Sequence, residues 1–175
     1  MVFEVVVNRL RAPVGMIVLL LAGLLAGCTA TATTVMDEEV VTNQKHMSSY
    51  NALIIHDLEL KRELYTDVPE TRMGKREQRY AQMPSLLSEH IQRYVKTYQE
   101  VSRDGEPSAT TLVLRGRFTR MGRFKMSLEA QLVDGGTGQE VAHFRQTLWD
   151  VFDTTEGIDR LGRQIAEFID RIQYK

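Results

Sequence analysis

Several residue types are scarce in this chain. Its 175 residues include one cysteine, one tryptophan, four prolines and four histidines. A single cysteine excludes an internal disulfide framework and a cysteine-ligated zinc site. Neither sign of charge prevails, since 22 basic and 23 acidic residues leave a net charge of −1. Nothing at whole-chain level therefore calls for a nucleic-acid partner. The uncharged apolar run Val14–Gly27 is well short of the roughly 20 residues that a membrane span requires. Catalytic signatures are missing too. No G-x-S-x-G occurs, and no lysine followed by serine or threonine completes the glycine-rich Gly135-Gly136-Thr137-Gly138. His46, His56, His90 and His143 have neither the i, i+4 helical nor the i, i+2 strand spacing of a metal site.

What is present begins with the one cysteine. Arg9 and Arg11 precede the apolar run, and Leu24-Leu25-Ala26-Gly27 leads into Cys28. This order of charge, apolar length, small residues and cysteine resembles the lipobox of bacterial lipoproteins. The resemblance implies cleavage before Cys28, a diacylglycerol on its thiol and acylation of the new amino terminus. No thiol would then remain to act as a nucleophile. Residues 1–27 are thus expected to be a leader, whose removal takes the net charge from −1 to −2 because it holds Arg9, Arg11 and Glu4. Acyl chains on Cys28 imply a membrane partner. Thr29, where inner-membrane lipoproteins often carry aspartate, points to the outer membrane with the domain facing the periplasm.

The remaining residues suffice for one ordinary domain and not for two. Residues 28–49, opening with Thr-Ala-Thr-Ala-Thr-Thr after Cys28, are polar and aperiodic, and read as a flexible tether of roughly 25 Å. Residues 50–175 carry the folded domain. Ala52 to Leu60 reads as a buried strand entering solvent, and Lys61–Gln82 as a long surface excursion. Leu87, Ile91, Tyr94, Val95 and Tyr98 mark one face of a helix with Pro84 in its first turn. Leu112, Leu114, Gly116 and Phe118 alternate with polar neighbours. So do Phe124, Met126, Leu128, Ala130 and Leu132, then Ala142, Phe144, Gln146 and Leu148, giving an antiparallel meander. Asp153 and Glu156 resemble a capping box opening a last helix, with Ile158, Leu161, Ile165, Phe168, Ile169 and Ile172 on one face. The predicted class is α+β: a two-layer sandwich in the order β-α-β-β-β-α, with two main helices on one face of a mostly antiparallel sheet of about four strands.

The strand Thr111–Thr119 and the hairpin Leu128–Ala142, with its Val-Asp-Gly-Gly-Thr-Gly-Gln-Glu-Val core, resemble an uncharacterised family of proteobacterial lipoproteins. That family usually carries a glycine-rich insertion where this chain has only Met121-Gly122-Arg123. Its architecture is similar to the amino-terminal αβ domains of TolB and of the curli secretion lipoprotein CsgG. With no activity assigned to the family, the resemblance implies only fold and location.

Among residues that could carry chemistry, His56-Asp57 invites a metal reading, but adjacent strand positions face opposite ways and cannot converge. His56 is expected near the core beside Ile54 and Leu58. Trp149 and Phe152 read either as a plug closing the sandwich or as a ligand-stacking pair. Arg115, Arg117, Arg120, Arg123 and Lys125 place five cations before any acid at Glu129. They are either a solvated outer face that blunts strand association or a docking face for an acidic envelope protein or anionic envelope component. The expectation is a non-catalytic, lipid-anchored periplasmic interaction or accessory module needing no metal and no cofactor. A carrier of a small anionic or lipidic ligand, bound between sheet and helices, is the alternative.

Overall fold

The computed structural model describes residues 33–42, 45–122, 124–149 and 154–174. The leader, Cys28, Arg123, Phe152 and Asp153 lie outside them. The strands are β1 (Thr33–Val41), β2 (Ala52–Ile55), β3 (Glu100–Ser102), β4 (Thr111–Arg120), β5 (Lys125–Asp134) and β6 (Glu140–Trp149). The helices are α1 (Lys75–Tyr94), between β2 and β3, and α2 (Thr154–Ile172), after β6.

The α+β class holds, but the sheet is larger and more mixed than expected. Its six strands run in the order β1-β6-β5-β4-β2-β3. The β4-β5-β6 meander and β1 pair antiparallel, whereas β2 lies parallel to both β3 and β4. A parallel neighbour needs a crossover connection, and α1 supplies it between β2 and β3. The chain order is therefore β-β-α-β-β-β-β-α.

The tether reading fails from Thr33 to Val41. Thr33–Val41 pairs along β6 from Trp149 to Ala142, with an irregularity between Met36 and Glu38. Met47 and Tyr50 are buried in the core. The start of α1 also moves. The helix begins nine residues before Pro84, inside the expected excursion, and ends at Tyr94. An interior proline removes one N–H from the ladder; the Ser88 hydroxyl donates to the Pro84 carbonyl from the next turn (3.1 Å). Val95 and Tyr98 are buried beyond the helix, where the Asp170 carboxylate of α2 accepts from Lys96 N (3.1 Å) and the Thr97 hydroxyl (2.8 Å).

One cluster unites the inner sheet face with both helices. Leu53, Leu114, Leu128 and Phe144 of the sheet join Leu87 and Ile91 of α1 and the whole predicted apolar face of α2. Phe144 and Phe168 meet at 4.8 Å between ring centroids. On the opposite face Ile54, Val113 and Val133 form a small buried apolar cluster, with Gly105 passing over Ile54. Among the described residues, the rest of the outer face of β4, β5, β6 and β1 is mainly polar, with Val40 and Trp149 as apolar exceptions.

Candidate functional site

Alternation along four strands sends Arg117, Glu129, Arg145 and Glu38 to the outer face, and register aligns them. Arg117 stands opposite Glu129, Glu129 opposite Arg145, and Arg145 opposite Glu38. Glu59, past the end of β2, forms a parallel bridge with Arg117 on the other side. The result is a cross-strand row of alternating sign. Arg117 Nη2 lies 3.2 Å from Glu129 Oε2, Arg145 Nε lies 3.2 Å from Glu129 Oε1, and Arg145 Nη1 lies 3.6 Å from Glu38 Oε2.

A second row runs beside it: Arg115 opposite Gln131, and Gln131 opposite His143. His143 Nδ1 is 2.6 Å from Glu140 Oε1, and Nε2 is 3.7 Å from Glu38 Oε1. The hydrogen bond to Glu140, aided by the Glu38 charge and opposed by partial burial, raises the His143 pKa. The imidazole therefore stays cationic to higher pH than a free histidine. Arg115 has no ion-pair partner among the described residues, and Gln131 has no side-chain hydrogen bond among them. The two rows line an open groove of about 650 Å³.

Of the five expected cations, Arg123 lies outside the described residues, and the other four are divided between the groove and the end of the sheet. Arg115 and Arg117 line the groove, but Arg117 is paired with Glu129. Arg120 is exposed at the end of β4. Lys125 is half-buried at the same end of the sheet, with Nζ 4.3 Å from the Trp149 ring centroid. Arg145, His143, Glu38, Glu59 and Glu140 are groove residues that sequence reasoning missed. Arg145 and Glu129 could have been found from the period-two alternation of β5 and β6. Glu38 could not, because its segment reads as tether.

Other expectations change similarly. Trp149 is 43% exposed and does not plug the sandwich. His56 is exposed and not core; it lies beyond β2, and Asp57 beside it accepts from Arg103 Nη2 (2.7 Å). His90 Nδ1 lies 3.0 Å from Asp159 Oδ1 but is out of line for a hydrogen bond. Among the described residues no three histidine, cysteine or acidic side chains gather as metal ligands. The Gly135–Gly138 segment is a hairpin turn, with φ +72° at Gly138 and the Asp134 carboxylate accepting from Gly136 N and Thr137 N, both at 2.8 Å.

No protein-family model matches the chain, and no curated protein matches its sequence. Solved structures with similar folds include a single-residue variant of the PelC dodecamer from Paraburkholderia phytofirmans, at 13% identity and a TM-score of 0.47, covering 83% of this chain and 99% of that one. The PelC dodecamer in another crystal form follows at 11% and 0.44, with the same coverage. An uncharacterised protein gives 17% and 0.40 over 70% of this chain and 90% of its own. CsgG and TolB, anticipated from the sequence, are not among these three. At such identities and scores the likeness carries no statement about activity.

Proposed function

We propose that the protein is a non-catalytic interaction module of the bacterial envelope, anchored at the outer membrane by acyl chains on Cys28 and facing the periplasm. The observation that supports this reading most is a length. Strand β1 begins at Thr33, five residues after Cys28, and Thr33 pairs with Trp149. Five residues reach at most about 17 Å, so an anchored domain would rest with this end of its sheet at the bilayer surface. That end exposes Phe124 (60%) and Trp149 (43%), with Lys125 over the indole. Aromatic rings with an adjacent cation suit the headgroup region, where apolar and charged surroundings meet. The groove, farther along the strands, would stay open to the periplasm and to an acidic or anionic envelope partner.

The small-ligand alternative also gains an observation, at a different place. The space between sheet and helices is filled by the core cluster, whereas the groove opens on the outer face.

The anchor is tested with the full chain in cells fed labelled palmitate. Wild type should take the label and sediment with outer membranes, and Cys28→Ala should do neither. An unlabelled wild type that begins after some other cleavage site would end this reading.

A further inference from the structure

The groove has a chemistry of its own, independent of any anchor. In its first row, each of Glu129, Arg117 and Arg145 already has an opposite charge within 4 Å. A simple anion arriving there would meet carboxylates, and a simple cation would meet arginines. Hydroxyl groups face no such conflict, because each both donates and accepts. They can donate to spare carboxylate lone pairs and accept from spare guanidinium N–H groups while leaving the pairs intact. The second row differs. Arg115 offers an uncommitted planar fork that suits a carboxylate, Gln131 beside it offers an amide, and His143 completes the row. A volume of about 650 Å³ accommodates a small molecule and is open enough for part of a longer chain.

We infer that the groove binds a polyhydroxylated carboxylate, an acidic sugar, with its carboxylate at Arg115 and Gln131 and its hydroxyls across the Arg117–Glu129–Arg145 row. Apolar ligands fit poorly, since they would strip water from charged groups without replacing the lost hydrogen bonds.

The test is a titration of the full chain in detergent, followed by calorimetry, with four probes: galacturonate, galactose, acetate and inorganic phosphate. Galacturonate should bind at least about tenfold more tightly than each of the others, because it alone engages both rows. Arg115→Gln should remove that advantage, and Arg115→Lys should retain part of it, having the charge without the fork. Arg120→Gln, outside the groove, should change nothing. Equal affinity for acetate and galacturonate would reduce the site to a nonspecific carboxylate contact and overturn the inference. So would tight phosphate binding, undiminished galacturonate binding by a folded Arg115→Gln, or the absence of saturation by any probe. If the glutamine variant fails to fold, the lysine variant decides: unchanged affinity there also overturns it.

Discussion

The Tyr50 hydroxyl donates to Asp134 Oδ2 across 2.7 Å, joining the segment that leads into β2 to the end of β5. The same carboxylate accepts from the backbone of the β5–β6 turn and lies 3.4 Å from Lys45 Nζ. Burial by itself would raise the Asp134 pKa. The Tyr50 hydroxyl, the Thr137 and Gly136 N–H groups and the Lys45 charge outweigh it, lowering the pKa from 3.8 to about 2.

A depressed carboxylate pKa stabilises the fold above its unfolded value, and that stability is lost as pH falls through the folded value. Asp134 should therefore contribute about 2 kcal/mol at neutral pH, lost between about pH 4 and pH 2. Tyr50→Phe keeps the ring packed but removes the donor, and should cost about 1.5–3 kcal/mol at pH 7. Urea denaturation at several pH values checks this: the wild-type advantage must shrink toward pH 2. A difference that stays constant with pH would assign the loss to packing instead of the carboxylate.

Two glycines set how closely elements approach. A Cβ on Gly162 of α2 would lie 2.6 Å from the His90 Cβ of α1. One on Gly116 of β4 would lie 2.4 Å from the Glu129 carbonyl oxygen of β5. In an isolated helix, glycine to alanine gains up to about 1 kcal/mol. Overpacking costs about 1–3 kcal/mol, so Gly162→Ala should still destabilise. Gly116→Ala should cost more, because backbone atoms of a paired strand cannot step aside. Chemical denaturation of the two variants gives both sign and order.

The domain boundary makes another prediction. A chain starting at Tyr50 would lack β1, leaving the full β6 edge unpaired and Met47 gone from the core. An open edge of that length is a template for intermolecular pairing. A chain starting at Thr33 should stay monomeric and melt cooperatively, and one starting at Tyr50 should melt lower and aggregate. Light scattering during thermal melts distinguishes them, and equal behaviour would make β1 dispensable.

That boundary also marks where the sequence stops being readable. The meander and α2 are legible because Leu112–Phe118, Met126–Leu132 and Ile158–Ile172 keep an uninterrupted period and bury one face. In β1 the irregularity around Asp37 breaks the alternation, and Glu39 on the inner side is held by Arg171 (2.6 Å) instead of being replaced by an apolar residue. Local polarity then looks like tether. Strand β3 is three residues long and carries no period at all. For the groove, the cations were visible as a run, but the groove also takes Glu38, which pairs with Arg145, and Glu59, which bridges to Arg117 through the backbone. Only the sheet order brings these distant segments beside Arg117 and Arg145. A charge cluster read along one segment overstates the field wherever strands remote in sequence become neighbours.

The last prediction concerns the short reach between Cys28 and β1. Trp149 is the only tryptophan, so its fluorescence reports its own surroundings. In vesicles of zwitterionic and anionic lipid, the acylated chain should show blue-shifted emission, quenched by lipids brominated near the headgroups. Inserting about 20 glycine and serine residues before Thr33 would let the domain wander roughly 25 Å from the anchor. Acylation should survive the insertion, and the shift and quenching should weaken. Trp149→Phe with Phe124→Trp should restore a membrane signal from the neighbouring position, since both rings lie at the same end of the sheet. If acylated wild type emits as in water, the domain stands clear of the membrane. The anchor reading would survive that result, and the seating of this sheet end would not.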